Sequence, residues 1–195
     1  MGTSCSNPPI SVRAGFYIHL CLCILLLPIH WVIAWMAAAT VHELSHCLCL
    51  RLLKVRIYHI TISSFGAKIQ TEFISEMKQF VASLAGPAGG LLLLLLSNWF
   101  PRLAICGFLQ SVYNLVPIYP LDGGRALCAV ILRLFPGVIG TSVFRAFNIV
   151  ILTVISLLGL YSVFVLGLGP IPILVAGLLV IRNITCNARK QKVQY

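Results

Sequence analysis

Thr40-Val41-His42-Glu43-Leu44-Ser45-His46-Cys47-Leu48-Cys49-Leu50 puts two histidines and a glutamate within five consecutive positions of an otherwise apolar run. The chain of 195 residues has only four acidic residues and five histidines. It is 59% hydrophobic and only 9% charged, with a mean hydropathy of +1.00. A soluble domain carries about 25% charged residues. The chain therefore reads as an all-α polytopic membrane protein, and His42, Glu43 and His46 lie inside one of its spans.

Four long stretches lack Asp, Glu, Lys and Arg: Ala14–His42, Gln79–Pro101, Leu103–Leu121 and Ala146–Ile181. A crossing helix needs about 20 residues. The first stretch continues to Leu50 with Glu43 as its only charge, which is long enough for two spans turning at Pro28-Ile29-His30. The last also holds two, divided at Gly167-Leu168-Gly169-Pro170. Six spans follow, at about 14–28, 31–52, 79–100, 103–121, 145–166 and 169–184, in a single domain over 1–195. With both termini cytoplasmic, every Lys and Arg except Arg102 falls on the inner side, as cytoplasmic loops require. The net charge of +10 is thus a topology signal and does not point to nucleic acid.

Other terminal and cysteine signals are weak. Ala37-Ala38-Ala39 lies too far along to be a signal cleavage site, so the first span is expected to stay attached. Met1–Ser6 fits the loose myristoylation pattern, which a six-span chain does not need. Cys21, Cys23, Cys47, Cys49, Cys106 and Cys128 lie in apolar segments and read as small hydrophobes.

On a helix, residues i and i+4 share a face, so His42 and His46 can point two imidazoles at one ion. Glu43 lies about 100° round and can reach a water beside that ion. This is the physical content of H-E-x-x-H, a pattern expected by chance here only roughly 0.002 times. An ionisable group in the bilayer costs about 2.5–3.5 kcal/mol even on a lenient scale, so three together favour a functional reading over a satisfied polar cluster. A catalytic zinc takes three protein ligands. The candidates for the third are Glu72, Glu76, Asp122, His19, His30 and His59, and Asp122 stands out.

Asp122 follows Asn114-Leu115-Val116-Pro117-Ile118-Tyr119-Pro120-Leu121 and precedes Gly123-Gly124-Arg125. Two prolines three apart and then two glycines cannot continue a regular helix. Irregular backbone within a membrane is tolerated only where protein buries it or water reaches it. A carboxylate beside such a break needs a cation. The competing reading is an Asp-Gly-Gly turn capping a next helix over Arg125–Phe135.

His42-Glu43-Leu44-Ser45-His46 in an early span, followed by Asn114-x-x-Pro117-x-x-Pro120-Leu121-Asp122-Gly123-Gly124 in a later one, resembles the site-2 protease family of intramembrane zinc metalloproteases. The six-span layout is similar to its stage IV sporulation protein FB-like branch. The resemblance implies a zinc endopeptidase with one Zn2+ per chain, held by His42, His46 and Asp122. It implies Glu43 as general base and Asn114 as a group holding the substrate or the oxyanion. It also implies a membrane-associated protein substrate, such as a transcription factor precursor or its inhibitor. Regulatory membrane proteins would be further partners, in a bacterial inner membrane. Ser45 stands where the family commonly has Gly, and a small residue still permits close helix packing. No PDZ or CBS module is expected.

Two further segments bear on that reading. Arg56–Glu72 is rich in Ile, Thr and Tyr and alternates around Phe65-Gly66, which predicts a small membrane-associated β-hairpin between the second and third spans. Its edge could pair with an unwound substrate, or the hairpin could simply pack over the site. Ser83-Leu84-Ala85-Gly86-Pro87-Ala88-Gly89-Gly90 offers small residues for packing against the second span. Ala188–Val193 reads as a basic anchor for the inner face. The rival functions are a metal transporter, which would spread ligands through more spans, and an inactive scaffold relative, against which the intact Glu43 argues.

Overall fold

The computed structural model describes residues 9–64, 66–167, 169–170, 172–181 and 183. The chain divides into two compact units, the first ending at Tyr113 and the second beginning at Asn114. The Met1–Ser6 pattern, Phe65 of the hairpin turn, Leu168 of the last break and the Ala188–Val193 tail lie outside the described residues.

The first unit opens with strand β1 (Ile10–Val12) and helices α1 (Ala14–Leu26) and α2 (Ile29–Leu52). Pro28 is the N-cap of α2, where its fixed φ starts the helix and no donor is lost. Strands β2 (Ile57–Ser63) and β3 (Gly66–Thr71) follow, then α3 (Glu76–Leu92) with a 3-10 extension to Leu96, and α4 (Pro101–Leu115). The predicted hairpin is present, with Ile60 opposite Ile69 and Ile62 opposite Ala67. It belongs to a three-stranded sheet, because β1 adds in parallel to the other side of β2. Ile62 therefore sits on the central strand, with its carbonyl accepting from Arg13 N at 2.9 Å. β3 is the edge on the hairpin side. A three-residue strand beside an apolar helix has no periodicity long enough to read from sequence.

The second unit begins in the last turn of α4. Val116–Leu121 is irregular, and α5 (Asp122–Leu134) starts directly after it. The expected break is thus present, and the helical part of the 103–121 stretch ends at Leu115. Gly137, at φ +78°, leads into α6 (Val138–Phe164). This helix starts before residue 145, since a single Arg145 ends a charge-free run without ending a helix. Gly167 and Gly169 take φ +64° and +74°, a left-handed pair that stops α6 where the sequence predicts. Helix α7 (Pro172–Ile181) follows.

Among the described residues, α2, α3 with its extension, and α6 are long and apolar enough to cross a membrane, and α1 and α7 are shorter apolar helices. Leu25, Ile33, Leu95 and Leu157 are exposed on these helices, the surface an integral membrane protein turns to lipid. The fold is helical with one small sheet, as the sequence predicts.

Small residues set the helix spacing in the first unit. A Cβ at Gly89 would meet the Ser45 side chain of α2, with Ser45 Cβ at 2.7 Å. A Cβ at Gly90 would meet Ser111 Oγ and lie 3.0 Å from Gly107 O on α4. Without a hydrophobic drive between helices in lipid, such contacts are what hold them together. Ser45 therefore sits in a close helix contact, as its size predicts. Gly89→Ala should cost about 1–3 kcal/mol through overpacking. Unfolding in detergent should show this loss and its partial recovery in Gly89→Ala/Ser45→Gly.

Candidate active site

Helix α2 carries His42 and His46 one turn apart, and both are buried. Their rings meet edge to face, with centroids 4.9 Å apart. His46 Nδ1 lies 2.7 Å from the Ala82 carbonyl of α3. A carbonyl only accepts, so Nδ1 carries the hydrogen and Nε2 of the neutral ring presents a lone pair. That Nε2 is 3.3 Å from His42 Nε2. Two zinc–nitrogen bonds of about 2.05 Å at a tetrahedral angle end about 3.3 Å apart. The spacing of the two nitrogens fits a shared tetrahedral metal, and imidazole donors suit zinc.

Gly86 makes the space for this pair. A Cβ there would touch His46 Nε2 and come within 2.6 Å of His46 Cε1 and 2.7 Å of His42 Nε2. Ala82 and Gly86 lie one turn apart on α3, so one face both orients His46 and leaves room in front of its coordinating nitrogen.

Glu43 is half-buried and points to the sheet. Its Oε1 accepts from the Ala67 backbone N–H of β3 at 3.1 Å. Gly66, at φ +105°, would place a Cβ 3.1 Å from the same oxygen, so both its backbone and its missing side chain bring the hairpin to Glu43. Because Ala67 bonds outward to Glu43, its N–H lies on the free edge of β3.

Most alternatives for a third ligand have local surroundings of their own. His19 lies beside Cys23 on α1, and His30 beside Trp31. His59 Nδ1 bonds to Thr61 Oγ1 at 3.2 Å, and Glu72 accepts from Arg56 N at 3.2 Å. Glu76 lies in the first turn of α3. Among the described residues of the first unit, no further His, Cys, Asp or Glu completes a three-ligand group with His42 and His46.

Asp122 belongs to the second unit and is 7% exposed. It is the first residue of α5, where a carboxylate also complements the helix dipole. The N-cap position falls to Leu121, so Asp122 stands one residue inside the helix rather than at the cap itself. Arg125 Nη1 stands 3.9 Å from Asp122 Oδ1. The glycines that follow let the broken segment fold back on the helix start. A Cβ at Gly123 would strike the Leu115 carbonyl, and one at Gly124 the Ile118–Tyr119 peptide. Ile118 and Leu121 anchor that segment as fully buried side chains. Asn114 lies in the last turn of α4, half-buried.

Two residues near the broken segment escape a search for ligands. Asn148 of α6 accepts from Tyr119 N–H at 3.0 Å. Asn183, itself helical and two residues beyond Ile181, donates to the Tyr119 carbonyl at 2.7 Å. The signal that could find them is an amide in an apolar helix, which needs a partner in lipid.

No protein-family model matches the chain. Over 111 residues it is 31% identical to a Synechocystis protein named as a candidate zinc metalloprotease, covering 49% of this chain and 29% of that one. Over 108 residues it is 26% identical to a Methanocaldococcus jannaschii zinc metalloprotease, covering 48% of this chain and 32% of that one. The matched part thus spans about a third of those relatives. Among solved structures, the site-2 protease from Methanocaldococcus jannaschii matches with a TM-score of 0.67 at 21% identity, covering 94% of this chain and 93% of that one. None of these relatives singles out the sporulation-type branch. The protein has the site-2 protease fold.

Proposed function

We propose that this protein is an intramembrane zinc endopeptidase that hydrolyses a peptide bond of a membrane-associated protein, within or near the membrane. The observation that carries this reading is the His42–His46 pair, with Nε2 atoms 3.3 Å apart and one tautomer fixed by Ala82. The zinc metalloproteases to which the chain is similar support it, as does the fold. His42, His46 and Asp122 would hold one zinc per chain. In our reading the topology is the six-span arrangement with cytoplasmic termini, and the setting a bacterial inner membrane. A transcription factor precursor or its inhibitor is the substrate class this reading favours.

Zinc, when bound, supplies Lewis acidity toward the peptide carbonyl and the attacking water. Glu43 takes the proton from that water and delivers it to the leaving amine. The half-burial of Glu43 keeps it within reach of water while its neighbours exclude bulk solvent. Asn114 holds the substrate backbone or its developing oxyanion through its amide N–H.

A helical substrate hides its carbonyls, so the scissile segment must be extended. The edge of β3 offers the backbone groups to hold it. Ala67 N–H, the outward donor nearest Glu43, is bonded to that carboxylate. A substrate strand pairing at Ala67 takes over that hydrogen bond and releases Glu43 for its role as base.

Purified protein should contain about one zinc per chain, the catalytic complement of such a site. His46→Ala and Asp122→Asn should lose or weaken the metal. Glu43→Gln should keep it while cleavage falls by at least about 100-fold. Metal analysis of the folded variants beside a cleavage assay checks this, and a folded wild type without zinc would overturn it. Ile69 lies two positions beyond Ala67, so its N–H shares the free edge. Ile69→Pro should reduce cleavage of an extended substrate in protein that still folds and binds zinc, with a somewhat lower thermal midpoint because Ile69 packs on the Leu50, Val55 and Ala82 cluster. Unchanged cleavage in that folded variant would leave the hairpin a structural cover only.

A further inference from the structure

We propose that Asn148 and Asn183 are positioning residues that set the orientation of Asp122 by clamping the peptide groups of Tyr119. This rests on the reading of Asp122 as a metal ligand. The irregular Val116–Leu121 segment exposes backbone N–H and C=O groups that no helix satisfies, and within a membrane each must find a protein partner. Tyr119 finds two. Its N–H donates to Asn148 Oδ1 at 3.0 Å, and its carbonyl accepts from Asn183 Nδ2 at 2.7 Å. The two amides are only 5% and 6% exposed, so neither bond competes with bulk water.

The pairing is selective. Thr141, Thr153, Ser156 and Ser162 of α6 return their hydroxyls to carbonyls of their own helix. Asn148 instead reaches off the helix to the broken segment. On another side, the Ile118–Tyr119 peptide lies against Gly124, where no Cβ fits. The peptide is thus held between the first turn of α5 and the two amides. Asp122 belongs to that same turn and follows Tyr119 by three residues, with the turn closed by Leu121 N to Ile118 O at 2.8 Å. Releasing Tyr119 frees the segment that sets the start of α5, and with it the direction of the carboxylate.

The test titrates cobalt(II), as a spectroscopic stand-in for zinc, into metal-free full-length protein in detergent. Asn148→Leu and Asn183→Leu should each lower cobalt affinity about 10-fold or more, the size of effect seen when groups orienting a ligand are lost. The visible ligand-field bands should shift in both. Asn148→Asp, which keeps the acceptor for Tyr119 N–H, should recover most of the affinity. Thr153→Leu, which removes a hydroxyl bonded only within α6, should leave affinity and spectrum as in wild type. Thermal midpoints of the metal-free forms separate this effect from general destabilisation. If Asn148→Leu does not fold, Asn183→Leu and Asn148→Asp carry the comparison. Folded Leu variants with wild-type affinity and bands would overturn the clamp while the metal site stands. Wild type without cobalt bands, or Asp122→Asn with unaltered affinity, would instead overturn the metal reading beneath it.

Discussion

Hydrocarbon offers no hydrogen bonds, and that constraint orders the polar interior of this protein. Its buried polar side chains are repeatedly tied to backbone atoms of another segment. His46 holds the Ala82 carbonyl, Gln110 donates to the Trp35 carbonyl at 3.0 Å, and Ser111 donates to the Pro87 carbonyl at 2.9 Å. In the second unit, Asn148 and Asn183 hold Tyr119. A backbone partner survives any side-chain substitution around it, so these ties depend on helix spacing more than on the identity of neighbours. Spacing in turn depends on the absence of Cβ atoms at Gly86, Gly89, Gly90 and Gly107.

Packing and chemistry coincide at Gly86. The helix face that brings α3 close to α2 also carries the Ala82 carbonyl that selects the His46 tautomer. A bulkier residue there would separate the helices and fill the space before the two Nε2 atoms. The next residue, Pro87, withholds the N–H that the Ser83 carbonyl would otherwise receive. Its own carbonyl is bonded to Ser111, so the irregularity is absorbed inside the first unit. Asp-Gly-Gly works by the same logic in the second unit, since Gly123 and Gly124 admit a backbone that folds back onto the helix start.

Much of this was legible in the sequence because lipid makes polar residues costly and therefore informative. His42, Glu43 and His46 stand out against an apolar run, and the proline and glycine spacing around Asp122 announces a break before any coordinates are known. The hairpin was legible from its β-branched alternation. What escaped reading were the partners that are backbone atoms. Neither the Ala82 carbonyl nor the Ala67 N–H has a residue-type signature. β1 was too short for periodicity to reveal. Asn148 and Asn183 were visible as amides in apolar helices, but a search for metal ligands passes over neutral side chains. Arg145 misplaced the start of α6 because a charge count locates the edge of an apolar run and says little about where a helix begins.

The register of the hairpin is the least obvious of these dependencies. Glu43 is oriented by Ala67 N–H only while that group faces outward from β3. Strand geometry alternates the direction of successive N–H groups, so a slip of one residue would turn Ala67 toward β2 and present Gly66 or Lys68 instead. Two features hold the register. Gly66 takes a φ of +105° that the other residues of the return strand would adopt only with strain. β1 pins the far side of β2 through Ile10–Ile60 and Val12–Ile62 pairing and the Arg13 N to Ile62 O bond at 2.9 Å. A three-residue strand just before α1 thus acts at a distance on the direction of a carboxylate on α2. It does so by fixing which strand of the sheet is central and which edge is left to meet Glu43.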